Sequence, residues 1–321
     1  MPESRAVREI FAGRSDTEKF RLGVGLKRVL LAALVVCLSP SFPISAAVPL
    51  TPAGNGHWLV PAFVNGKGPF PAVLDTGADA SGIYHWFALQ AHFKRGPLEN
   101  LGGMTGSVMT PLYHIDRLTL DGRTIRNVKA DSYPDRHDNE REALVVGNDF
   151  MDGAIAIFDF PCRTVEILPK PVNLKTLLSP RAQMFRGGPV QNGTQLTFPI
   201  RVGSATGIAV LDTGDRQTKL NLKFAQAAGI DPRSSRFSDG ETIWGANSKG
   251  IKSRIGPIGT VRIGRIAISD VRAQVMDVPA LRSFGLDGPA MIFGLDLMHN
   301  IRLVYDHQDR RFWFDGSKCS S

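Results

Sequence analysis

Cysteine is scarce in this chain. Only Cys37, Cys162 and Cys319 occur in 321 residues, and none clusters with the seven scattered histidines at zinc-ligand spacing. No metal and no cofactor is expected. No basic stripe gathers the formal charge of +8 on one segment, so nucleic acid is not an expected partner. Long apolar runs are missing as well. Residues 29–39 are apolar but fall short of the roughly 20 that span a bilayer. With 43% hydrophobic and 21% charged residues the chain is neither fibrous nor disordered, and it is long enough for two modest cores.

The apolar stretch 29–39 follows Lys27 and Arg28 and precedes the small residues Ser45, Ala46 and Ala47. That order is the pattern of a signal peptide over residues 1–47, cleaved near Ala47, with an uncleaved membrane anchor as the alternative. Val36 stands before Cys37 where lipoprotein signals carry a small residue, which disfavours a lipid anchor. The mature chain is expected to be secreted or periplasmic, without a stable membrane span. It keeps Cys162 and Cys319, which either pair in an oxidising compartment or stand as two independent thiols. About ten residues separate the cleavage point from the first expected strand, too few for an inhibitory pro-segment.

Thirty-three glycines and 21 prolines punctuate runs of β-branched and aromatic residues, a composition that favours strands and turns. The chain also repeats itself. Residues 72–77 and 209–214 are the same hexapeptide, Ala-Val-Leu-Asp-Thr-Gly. One Asp-Thr-Gly is an ordinary turn sequence, but two matched hexapeptides are not a chance event. Each copy follows a strand–turn–strand pattern, 59–71 in the first half and 197–208 in the second. Each is followed by an amphipathic helix pattern, at 83–90 and 222–228, the second stopping at Gly229. An apolar-apolar-Gly element comes next, Val145-Val146-Gly147 and Ile292-Phe293-Gly294, and each runs into a strand bearing Asp159 or Asp306 at the same distance. Proline and glycine at 169–193 mark a linker between halves at 50–168 and 194–317.

With these motifs in this order, the sequence resembles the retropepsin-like and pepsin-like aspartic proteases, and bacterial periplasmic single-chain members in particular. The resemblance implies an all-β fold of two homologous closed-barrel lobes with the active site in the cleft between them. It implies that Gly147 and Gly294 leave room for the Asp loop to cross beneath the apolar-apolar-Gly segment. It also implies that the hydroxyls of Thr76 and Thr213 bond across to the opposite loop.

The implied activity is endopeptidase hydrolysis by Asp75 and Asp212. Two carboxylates a few ångströms apart cannot both ionise easily, so one keeps a proton. The ionised member takes a proton from water and the protonated member polarises the scissile carbonyl. The titration belongs to the pair, so neither residue is given a fixed role. Gly77 and Gly214 are expected to allow a tight loop and turn backbone N–H groups toward the carboxylates. Asp149 and Asp296 are expected as helix-capping or structural carboxylates. Asp79 and Asp215 either tune the pair and contact substrate or form structural salt bridges. Two substrate-covering hairpins are expected, one at 101–106 with Gly102, Gly103 and Met104, the other at 244–247 with Trp244 and Gly245. Trp244 is either a substrate contact or lobe core. The expected partner is a protein or peptide substrate and the expected state a monomer. The competing reading is a catalytically silent peptide-binding or scaffolding protein on the same fold.

Overall fold

Each repeated hexapeptide ends a hairpin. Trp58–Val64 turns through Asn65 and Gly66 into Lys67–Leu74, and Thr197–Val202 turns through Gly203 into Ala205–Leu211. The computed structural model describes residues 47–138, 140–247, 249–316 and 319. The expected signal segment, apart from Ala47, lies outside the described residues.

The two halves close into barrels by the same route. In lobe one the ring runs from Trp58–Val64 through Lys67–Leu74, Leu144–Val146, Gly82–Tyr84, Arg123–Tyr133 and Gly106–Leu120, then back to its start where Phe63 opposes Thr119. In lobe two it runs from Thr197–Val202 through Ala205–Leu211, Ala290–Phe293, Lys219–Asn221, Ile266–Met276 and Ile251–Ile263, and closes where Arg201 opposes Arg262. Outer strands extend the rings, Arg95–Gly103 and the short Thr51–Pro52 in the first and Ser238–Ile243 in the second.

Side chains alternate between the faces of a strand, and this sorts the apolar residues around the Asp loops. Ala72, Leu74, Leu144 and Val146 point into the main core, as do Ala209, Leu211, Met291 and Phe293. Their neighbours Val145, Val210 and Ile292 face the other way and belong to two smaller clusters, one on each lobe.

The hairpins that end each half do not complete separate barrels. Ala154–Asp159 pairs antiparallel with Arg302–Asp306, so the halves share a six-stranded sheet, with Ala156 opposite Tyr305. Val48–Pro49 joins one edge, immediately after Ala47. The expected linker supplies the other edge: Gln183–Arg186 pairs with Arg311–Asp315, and Leu174–Leu177 is a short helix. Pairing with a neighbouring strand satisfies that backbone, a gain that local proline content does not reveal. The first helix begins at His85 rather than Ile83, because Gly82–Tyr84 is drawn into the barrel between Leu144–Val146 and Arg123–Tyr133. The second runs Leu222–Ala227. Its Asn221 side chain caps the Phe224 N–H at 2.8 Å, and Gly229 takes the left-handed conformation beyond its end. Cys162 and Cys319 form a disulfide that ties the C-terminus to the shared sheet.

Candidate active site

The loops after Leu74 and Leu211 meet at the junction of the lobes. Thr76 Oγ1 donates to the Leu211 carbonyl at 3.0 Å and accepts from the Thr213 N–H at 3.0 Å. Thr213 Oγ1 donates to the Leu74 carbonyl at 2.7 Å and accepts from the Thr76 N–H at 3.0 Å. Both threonines are buried. The reciprocal set satisfies two hydroxyls and four backbone groups with no water, and it locks the register of one loop on the other.

This lock brings the Asp75 and Asp212 side chains into hydrogen-bonding contact with each other. Gly77 N–H donates to Asp75 Oδ1 at 2.7 Å, and Gly214 N–H donates to Asp212 Oδ1 at 2.9 Å. The glycines are required here by space. A Cβ on Gly77 would lie 2.6 Å from the Asp212 carboxyl carbon, and one on Gly214 would overlap the Asp75 carboxyl. Burial raises both carboxyls above the ordinary value of 3.8. For Asp75 the Gly77 N–H and Asp212 partly offset that rise. Asp212 is pushed well above it, with the Asp75 and Asp215 charges adding to burial. The pair therefore retains a proton where an isolated carboxyl would have lost one.

Gly147 and Gly294 sit where the notional crossings require them. A Cβ on Gly147 would meet the Ala80 carbonyl carbon at 2.6 Å, and one on Gly294 the Asp215 carbonyl oxygen at 2.9 Å. After each glycine comes a carboxylate that anchors its Asp loop. Ser81 Oγ donates to Asp149 Oδ1 at 2.7 Å, and Thr218 Oγ1 donates to Asp296 Oδ1 at 2.7 Å. These two hydroxyls also accept from the Gly147 and Gly294 N–H groups, each at 3.1 Å. Asp149 and Asp296 are thus structural carboxylates, and neither caps its helix from the N-cap position, which the glycines occupy. Sequence reasoning missed Ser81 and Thr218. The available signal was a hydroxyl six residues after each repeated Asp.

The residues beside the loops differ between the lobes. Asp215 is paired with the buried Lys219, whose ammonium donates to both carboxylate oxygens. Among the described residues Asp79 has no such cation. It accepts from Thr194 Oγ1 at 2.8 Å. Gln195 Nε2 donates to the Gly77 carbonyl at 2.9 Å. Asn148 bridges the Thr76 carbonyl, at 3.1 Å, and the Tyr305 hydroxyl, at 2.9 Å, linking the loop to the shared sheet. Apart from the Asp215–Lys219 pair, these partners lie far apart in sequence.

Both expected hairpins exist. Gly103 opposes Gly106 around a tip of Met104 and Thr105, while Ser238–Ile243 and Ile251–Ile263 flank the loop that contains Trp244 and Gly245. Their tips touch: Thr105 Oγ1 donates to Asn247 Oδ1 at 2.6 Å, and Asn247 Nδ2 donates to the Thr105 carbonyl at 3.1 Å. Gly102 faces open space, whereas Gly103 and Gly245 press on the opposite tip. Trp244 is not lobe core. It is 46% exposed and lies against the His137 ring at 4.4 Å.

The family model for aspartyl proteases matches residues 60–150 and 198–297, once over each lobe. The chain belongs to the aspartyl protease family. A search of curated proteins finds no match to it. The family's double match coincides with the two Asp-Thr-Gly loops and ends just past each apolar-apolar-Gly element.

Proposed function

We propose that the protein is an aspartic endopeptidase that hydrolyses peptide bonds with a water held between Asp75 and Asp212. The observation that carries this reading is the contact between two carboxylates, Asp212 buried and Asp75 half-buried, each held by a glycine N–H and both fixed by the Thr76–Thr213 lock. In the reaction the ionised carboxylate accepts a proton from water as its oxygen attacks the carbonyl carbon. The protonated partner donates a hydrogen bond to the carbonyl oxygen as negative charge grows there. Collapse of the tetrahedral species breaks the C–N bond, and the amine leaves with a proton returned from the pair. Rigidity matters because the loops need no rearrangement as charge develops.

The disulfide between Cys162 and Cys319 supports an oxidising compartment, consistent with export directed by the N-terminal segment. The test is digestion of a mixed protein substrate across pH by the wild type and by Asp212→Asn. Cleavage by the wild type alone is expected, and equal cleavage by both would refute the dyad. A silent peptide-binding protein would bind pepstatin or peptide yet cleave nothing.

A further inference from the structure

His307 follows the strand Arg302–Asp306 of the shared sheet and is buried, its ring stacked on Tyr305 at 6.0 Å. Both ring nitrogens face acceptors. Nδ1 lies 2.5 Å from Asp152 Oδ1, and Nε2 lies 2.9 Å from the Thr194 carbonyl oxygen. A neutral imidazole has one N–H and turns a lone pair on one of these two acceptors. The imidazolium donates to both. Among the described residues Asp152 alone forms an ion pair with the ring. The other charged groups nearby have partners of their own. Arg310 donates to the Gly188 carbonyl, Lys170 and Arg311 are tied to Asp306 and Asp309, and Arg123 donates to the Asp152 main-chain carbonyl.

Thr194 is where lobe two takes hold of the lobe-one loop. Its N–H and its hydroxyl both donate to Asp79 Oδ1, at 2.5 and 2.8 Å, and the hydroxyl accepts from Asn148 Nδ2 at 3.3 Å. Its neighbour Gln195 donates from Nε2 to the Gly77 carbonyl at 2.9 Å. Asn148 Nδ2 also donates to the Thr76 carbonyl at 3.1 Å. That carbonyl and the Gly77 N–H belong to one peptide unit, and the N–H donates to Asp75 Oδ1. Residues 194–195 therefore brace the peptide that aims at Asp75, through a chain of hydrogen bonds whose members polarise one another. Lobe two is built otherwise. Asn148 follows Gly147, whereas the residue after Gly294 is Leu295, which is buried and has no side-chain donor. The brace is thus a feature of one lobe, not a requirement of an Asp-Thr-Gly loop.

We propose that His307 is a positioning residue that works in its protonated form: the imidazolium clamps Thr194 and so holds the 194–195 brace that orients the Thr76–Gly77 peptide toward Asp75. The effect on rate rests on the aspartic endopeptidase reading, while the clamp itself does not. When the ring loses a proton, the carboxylate is the stronger acceptor and keeps the remaining N–H. The Nε2 lone pair then faces the Thr194 carbonyl, and the brace loses its anchor on the shared sheet.

The test has two arms. In the first, kcat and KM of the wild type and of His307→Phe, which keeps the stacking on Tyr305 and removes both donors, are measured across pH. The wild type is expected to exceed the variant about tenfold in kcat at acid pH with KM unchanged. The ratio is expected to fall toward one as pH rises and the imidazolium loses its proton; titration of the aspartate pair is common to both proteins and cancels. A ratio that stays constant with pH overturns the positioning role and leaves His307 a structural residue. The second arm needs no turnover. Nitrogen-15 spectra of histidine-labelled protein, with His307 assigned by its loss in the variant, are expected to show both ring nitrogens protonated at acid pH, and hydrogen exchange at the Gly77 and Thr194 amides is expected to be faster in the variant. A neutral His307 ring at acid pH, or equal exchange in the two proteins, overturns the clamp. Should His307→Phe fail to fold, the remaining histidine variants assign the wild-type spectrum, and its ring state decides alone. A wild type that cleaves nothing removes the endopeptidase reading, while the spectra and exchange still decide the clamp.

Discussion

Gly77 packs against Asp212 across the junction of the lobes, so close that a Cβ on the glycine would lie 2.6 Å from the carboxyl carbon. The same relationship holds in reverse between Gly214 and Asp75. Neither glycine has a positive φ. Their smallness, not their flexibility, sets the separation of the carboxylates. Gly77→Ala and Gly214→Ala should therefore push the pair apart. Overpacking of this kind costs about 1–3 kcal/mol in stability. Cleavage should fall about 10²-fold or more in folded protein, checked by activity alongside circular dichroism.

Removing one carboxylate removes half of the acid–base chemistry. Asp75→Asn and Asp212→Asn should each lower kcat by at least ~10²–10⁴-fold while leaving the fold intact. Single-turnover assays on pure protein would check this.

The same burial links the pair to stability. Both carboxyls are raised above 3.8 by desolvation, Asp212 most of all. The folded state then holds a proton that the unfolded chain releases, so the pair favours folding at low pH and this support is lost as pH rises above 3.8. Asp212→Asn removes the buried charge. Its Tm should exceed that of the wild type at neutral pH, and the gap should shrink toward pH 4, as followed by calorimetry across pH.

Thr76→Val keeps the shape of the lock and removes its hydroxyl. It leaves the Thr213 N–H and the Leu211 carbonyl without their partner, at about 1–3 kcal/mol for each buried unsatisfied group. Thr76→Ser should restore most of the loss. Urea midpoints and kcat measured together would separate the lock's structural and catalytic roles.

Lys219 is buried beside Asp215, and breaking such a pair strands a charge. Lys219→Met should cost about 3–5 kcal/mol by chemical denaturation. The double variant Lys219→Met/Asp215→Leu should recover much of it. A null effect of the single variant would show that water reaches the pair.

Much of the site was legible because the gene repeats itself. The twin hexapeptides located Asp75 and Asp212, and the flanking hairpin patterns located the strands that carry them. Gly147 and Gly294 were recognisable from equal spacing to Asp159 and Asp306. Other features left no local trace. The 169–193 stretch reads as a linker, yet Gln183–Arg186 becomes an edge strand because Arg311–Asp315 offers it hydrogen bonds. Ile83 fits a helix pattern but lies in a strand, since its place between two barrel strands outweighs a marginal helical preference. Trp244 reads equally as substrate contact or lobe core until the structure leaves it 46% exposed beside the His137 ring.

By itself the sequence determined the chemistry available: two identical Asp-Thr-Gly loops, the strands leading into them and the glycines that permit close approach, all written in local pattern and repetition. Only the tertiary structure decided how those parts serve one another. The shared sheet, the Asp75–Asp212 contact, the Asp79–Thr194 pairing and the seating of Met104 on the opposite lobe join residues far apart in the chain. Such contacts depend on how closed barrels bring surfaces together, and no periodicity along the chain encodes that.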